Sequence, residues 1–186
     1  MKIEQITPRL VTIKLTQEKT DPDYGSCLWA VFQLDLDAYR MQVMSDCGNY
    51  AYGWCPTPNA ESFLHLVGRM DEDYLLEKIS DRTVVDTKAT YKAVTEYLNG
   101  LLDAEDVTEG YSDEQISAAC RTYYPRDCLA ELMEALAFTD YGDAADQFEL
   151  SECIETDYPA GAKRIVALFR DYIRPMARKM DEEGRA

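Results

Sequence analysis

Ser45-Asp46-Cys47-Gly48-Asn49-Tyr50-Ala51-Tyr52-Gly53-Trp54 is the stretch on which the fold turns. Gly48 has no Cβ and takes a positive φ freely, as several hairpin turns require. Past that turn, Tyr50, Tyr52 and Trp54 alternate with Ala51 and Gly53. A period of two with an aromatic face and a small-residue face reads as a strand. Upstream, Tyr39 to Ser45 reads as its partner, with Tyr39, Met41 and Val43 on one face. Asp35-Leu36-Asp37-Ala38 forms a tight connection, since Asp favours turns. Cys27 to Leu34 is the strand before it: Leu28, Ala30, Phe32 and Leu34 share one face, Trp29 and Val31 the other. Val11, Ile13 and Leu15 alternate with Thr12, Lys14 and Thr16, which adds a fourth strand, and Pro8 separates it from Ile3 to Ile6.

Downstream, Pro56 and Pro58 stop the alternation, and the rest of the chain carries helical spacing. Asn59 reads as an N-cap for a helix holding Phe63, Leu64, Leu66, Val67 and Met70. Asp71 or Glu72 opens a short helix with Tyr74, Leu75, Leu76 and Ile79. Asp81 is expected to cap a longer one reaching Leu102. Asp103 to Gly110 reads as an acidic loop. Ser112 and Gln115 form a capping-box pattern before Ile116, Ala119 and Cys120. Pro125 is expected to end that helix, and Asp127 to Phe138 to form the next. Asp140 to Cys153 reads as a shorter acidic helix, and Gly161 to Met180 as the last, kinked at Pro175.

The fold class expected is α+β: an N-terminal antiparallel β-meander of three to four strands, then a mostly helical C-terminal half. Residues 1–186 read as one domain. The alternative is a sub-division into 1–102, with the sheet and first helices, and 111–186, a helical lobe.

Six cysteines are present without a CxxC, and the single His65 cannot complete a Cys/His zinc site of the usual spacing. The thiols are therefore expected to be buried and reduced, with no metal or cofactor. The net charge of −16 is uneven: residues 1–20 carry +2, residues 161–186 carry +3, and residues 21–160 carry −21. Such a field repels nucleic acid and attracts basic surfaces. There is no run of 18 apolar residues and no apolar signal core in Met1 to Thr20. The expectation is a cytoplasmic protein with no membrane contact.

The remaining patterns have structural readings. His65 lies between Leu64 and Leu66 without a conventional partner in sequence, so it reads as a partly buried structural residue. The pairs Asp35/Asp37 and Asp71/Asp73 and the series Asp140, Asp143, Asp146 read as solvated faces. Asp21-Pro22-Asp23-Tyr24-Gly25 begins like a Ca²⁺ loop but lacks the distal Glu. Pro22-Asp23 with Asp86-Thr87-Lys88 has the letters of a metal-nuclease site, in which two carboxylates hold Mg²⁺ and Lys orients water. That gives a metal-dependent nuclease as a further alternative. Tyr50, Tyr52 and Trp54 lack the basic neighbours of a base-stacking platform, so they read as core or partner anchors.

The string from Ser45 to Trp54 resembles a motif of small uncharacterised proteins of Firmicutes phages and prophages. There an S-D-x-G-x-Y-x-Y-x-W hairpin is followed by an F-L…D-x-D-Y-L…K segment. Here that segment is matched by Phe63-Leu64 and Asp71-Glu72-Asp73-Tyr74-Leu75-Leu76-Glu77-Lys78, so the resemblance covers residues 26–80. In size and charge the chain also looks like the anti-CRISPR proteins, Cas9 inhibitors included. That resemblance implies a non-enzymatic, DNA-mimicking inhibitor. It would bind a basic host protein, a CRISPR effector nuclease, and block DNA binding or cleavage without touching nucleic acid itself. A phage accessory protein-interaction module is the alternative. The partner-binding residues expected are Asp103, Glu105, Asp106, Glu109, Asp140, Asp143, Asp146, Glu149, Glu152 and Glu155, with Tyr50, Tyr52 and Trp54 as anchors.

Overall fold

The computed structural model describes residues 3, 7–56, 61–102 and 107–184. The chain forms two compact units: Met1–Asp81 together with Ala160–Ala186, and Arg82–Pro159. Of the expected boundary at 103–110, residues 103–106 lie outside the described residues, and residues 107–110 fall inside the second unit.

The first unit is built on a four-stranded antiparallel sheet in sequence order. Its strands are β1 (Leu10–Thr16), β2 (Trp29–Asp35), β3 (Arg40–Ser45) and β4 (Tyr50–Gly53). The alternation sets the pleat: Ile13, Ala30, Phe32, Leu34, Met41 and Val43 point into the core. The register aligns these faces, with Ile13 opposite Phe32 and Phe32 opposite Val43. β2 begins at Trp29 rather than Cys27, because the Asp46 carboxylate takes the N–H groups of Leu28 and Trp29. Leu28 is consequently exposed rather than part of the buried face.

The β2–β3 and β3–β4 turns are closed by their own side chains. Asp35 Oδ1 accepts the N–H groups of Asp37 at 3.1 Å and Ala38 at 2.9 Å. In the second turn Gly48 has φ +121°, the left-handed region glycine favours. Ser45 Oγ donates to the Gly48 carbonyl at 2.6 Å and accepts the Cys47 N–H at 3.1 Å.

Helices α1 (Phe63–Arg69) and α2 (Glu72–Ile79) follow. Asn59 lies outside the described residues; the α1 cap is Ser62, whose Oγ accepts the His65 N–H at 3.0 Å. Asp71 caps α2. The C-terminal segment completes this unit, and its apolar side chains Ile165, Leu168, Phe169 and Ile173 join Phe32, Phe63 and Leu75 in one core. The helix expected to kink at Pro175 has a widened turn over Phe169–Ile173. Proline has no N–H for the carbonyl four residues back, and the Arg174 N–H reaches five residues back to Phe169 O.

The second unit opens with β5 (Val84–Val85), paired antiparallel with β6 (Thr156–Asp157). Helix α3 (Thr87–Leu101) therefore starts later than expected. Its cap is Asp86, which accepts from Lys88 N–H at 3.1 Å and Ala89 N–H at 3.0 Å, not Asp81. Then come α4 (Asp113–Ala119) and α5 (Pro125–Leu136). Pro125 opens α5 instead of ending α4, since the first helical position needs no N–H. The acidic stretch after it is two short helices rather than one, α6 (Tyr141–Ala144) and α7 (Gln147–Glu152). Val94, Leu98, Ile116, Leu132, Leu136 and Leu150 are the centre of this second core. The last helices of the chain, in the first unit, are α8 (Ala160–Leu168) and α9 (Arg174–Glu182).

Candidate functional site

Charge segregates by unit. Arg82–Pro159 holds five basic and eighteen acidic residues, a net −13 of the chain's −16, which leaves −3 for the other unit. Asp103, Glu105 and Asp106 lie outside the described residues. Of the other acidic side chains singled out from sequence, Glu109, Asp143, Asp146, Glu149, Glu152 and Glu155 are exposed, while Asp140 is half-buried.

Two of these carboxylates have structural work. Asp140 Oδ2 accepts the N–H groups of Glu109 at 2.8 Å and Thr108 at 2.5 Å. Those bonds hold its carboxyl below the usual carboxylate range. Asp146 caps α7 through Phe148 N–H at 2.8 Å and Glu149 N–H at 3.1 Å. Asp143, Glu149, Glu152 and Glu155 form an acidic run along α6, α7 and the segment leading to β6. The same unit carries exposed aromatic side chains, a feature sequence reading missed: Phe138 is 89% exposed and Phe148 71%. Tyr123 and Tyr124, stacked edge to face, are also exposed. Phe148, Leu129 and Ser151 line a shallow groove beside Asp146. Large exposed aromatic rings are poor solvent neighbours and good interface anchors.

Tyr50, Tyr52 and Trp54 belong to the first unit and are half-buried. The Tyr50 hydroxyl donates to the Cys47 carbonyl at 3.1 Å. Tyr52 meets Trp54 edge to face at 4.9 Å, and Trp54 lies 5.6 Å from the Phe63 ring. Trp54 Nε1 donates to the Tyr74 hydroxyl at 2.9 Å. Tyr52 and Trp54 fasten the end of β4 to α1 and α2, while Tyr50 closes onto the β3–β4 turn.

His65 has partners that only folding supplies. Its Nδ1 is 2.9 Å from Asp181 Oδ2, and its Nε2 2.8 Å from Glu61 Oε2. Ser62 Oγ donates to Asp181 Oδ1 at 2.5 Å. The hydroxyl thus faces the carboxylate, not the imidazole, so the three residues clamp α1 to α9 without forming a nucleophile relay. Asp181 lies 116 residues beyond His65, and no local signal announces it.

The nuclease letters are likewise occupied by structure: Asp86 caps α3, and Asp23 pairs with Arg164. Asp37 is tied to Arg9, whose Nε donates at 2.8 Å. Arg164, Asp23, Gln17 and Cys27 line a cavity of about 170 Å³. Arg164 Nε is buried there without a partner among the described residues.

One group of metal-ligating side chains is present among the described residues: Cys27, Asp46 and Cys47, whose ligand atoms all lie within 4.8 Å of one another. Burial, then the neighbouring Cys47 and Asp46, push the Cys27 thiol up.

These features define an α+β protein with one strongly acidic unit. A family model described as a phage family matches residues 1–179, and the chain belongs to that phage family. No curated protein and no solved structure matches it. No described helix is long and apolar enough to cross a membrane.

Proposed function

We propose that this phage protein acts by binding rather than by catalysis, through the acidic face of its second unit. Its partner is a basic surface of a host protein that handles nucleic acid, with a Cas9-type CRISPR effector first. The observation that carries the reading is the concentration of −13 in residues 82–159 beside exposed Phe138 and Phe148. The Lys/Arg channel of an RNA-guided nuclease evolved to hold a polyanion. A protein face with carboxylates along α6 and α7 presents similar charge to it. Long-range attraction steers encounter, and the aromatic side chains hold the docked state. Occupying the channel blocks DNA binding or cleavage without any chemistry by the inhibitor.

The test is affinity capture from a bacterial host lysate, at low and at raised salt, with the wild type and a Glu149→Lys/Glu152→Lys/Glu155→Lys variant. Salt-sensitive capture of a nucleic-acid-binding effector, lost in the variant, supports the reading. Capture of a different phage or host protein turns it towards an accessory role in phage metabolism. Capture that the variant leaves unchanged removes the acidic face from the account.

A further inference from the structure

We propose that Cys27, Cys47 and Asp46 form a binding site for a thiophilic divalent cation of the Zn²⁺ class. The fold assembles it from two places. β2 and β3 pair antiparallel with Ala30 opposite Ser45. The residues just before β2 and just after β3 therefore face one another, and the Asp46 N–H donates to Trp29 O at 3.4 Å. Cys27 enters from the first side, Asp46 and Cys47 from the second.

The donor atoms are already gathered. Cys27 Sγ lies 3.3 Å from Asp46 Oδ1, and all three ligand atoms lie within 4.8 Å of one another. Donors of one tetrahedral zinc ion stand roughly 3.5–4 Å apart, given bond lengths of about 2.3 Å to sulfur and 2.0–2.2 Å to oxygen. The Cys27 thiol donates to Asp46 Oδ1, and the Cys47 thiol donates to the Ser26 carbonyl at 3.1 Å. On binding, two thiols become thiolates, two S–M bonds form, and two protons leave to solvent.

The carboxylate is aimed before any ion arrives. Asp46 Oδ2 accepts Leu28 N–H at 2.9 Å and Oδ1 accepts Trp29 N–H at 3.3 Å. Such outer bonds fix a ligand's orientation. The β3–β4 turn carrying Cys47 is backed by α8, where Gly161 leaves no room for a Cβ beside the Cys47 carbonyl. Two sulfurs and one oxygen select a borderline-soft ion over Mg²⁺ or Ca²⁺, which take oxygen donors. Three protein donors leave a fourth position for water or an external ligand. Cys27 also lines the cavity bounded by Gln17, Asp23 and Arg164.

The test uses the full chain, reduced and stripped of metal. Zn²⁺ is titrated against a chromophoric chelator, and Co²⁺ is added separately to read a thiolate-to-cobalt charge-transfer band. The expected result is one ion per chain, with that band present. Cys47→Ser and Cys27→Ser should each weaken binding about tenfold or more. Cys55→Ser, at an exposed thiol outside the cluster, should bind as the wild type does. Because Cys27 is buried and its variant risks misfolding, the wild type supplies a second readout. Zn²⁺ should slow alkylation of Cys47 by N-ethylmaleimide, followed by mass spectrometry, and leave Cys55 unaffected. A cobalt complex without a sulfur band, undiminished affinity in Cys47→Ser, or unchanged alkylation of Cys47 overturns the proposal.

Discussion

Gly161 lies so close to the carbonyl oxygen of Cys47 that no side chain fits between α8 and the β3–β4 turn. A Cβ there would also meet the Tyr50 hydroxyl at 3.0 Å, and that hydroxyl already donates to the same carbonyl. Sequence distance hides this contact, which ties the C-terminal segment of the chain to the hairpin that organises the sheet. Gly161→Ala forces backbone apart from backbone, so it should destabilise the protein by about 1–3 kcal/mol. Urea unfolding measures it; a midpoint equal to wild type would show that the turn moves freely away from α8.

The clamp between α1 and α9 should show in acid. The Ser62 hydroxyl, and then His65, hold the Asp181 carboxyl below the usual carboxylate range. A depressed folded pKa gives stability that is fully present above the unfolded value, about 3.9. That contribution is lost as pH falls through the depressed one. Asp181→Asn should therefore lower the unfolding free energy from urea titration at neutral pH by an amount on the order of 1 kcal/mol. The gap to wild type should narrow below about pH 4. A gap that stays constant into acid would mean that the carboxylate's charge contributes nothing.

Asp140 holds Thr108 and Glu109 by their backbone N–H groups. Asp140→Ala removes that anchor while leaving the core side chains Leu136 and Tyr141 in place. Amide hydrogen exchange at 108 and 109 should speed up at least tenfold, with protection of α3 and α5 retained. Unchanged exchange at those two amides would assign the loop's order to other contacts.

The elements legible from sequence are those whose signal is local. Val11, Ile13 and Leu15 alternate, and their strand forms with those side chains inward. Ser112 and Asp71 cap the helices they precede, because an N-cap acts within three residues. What stayed hidden depends on partners far along the chain. β5 and β6 have two residues each, too short to show a period, and pair across some seventy residues. That pairing explains why α3 starts at Thr87 and not after Asp81. Pro125 carried a signal that points two ways, since proline both ends helices and opens them. At the candidate sites the same division holds. The acidic run is plain in composition, but which carboxylates are occupied, Asp140 and Asp146, follows from the backbone they hold. Cys27 and Cys47 lie twenty residues apart without metal-site spacing, and only the β2–β3 register brings them together.

The proposed binding role rests on the acidic face of residues 82–159, and its most direct measurement is target-DNA cleavage by a Cas9-type effector preincubated with excess protein. An acidic face seated in the channel suppresses cleavage, which should recover as salt rises and recover at low salt with the Glu149→Lys/Glu152→Lys/Glu155→Lys variant. Full cleavage in the presence of excess wild-type protein at low salt would contradict it.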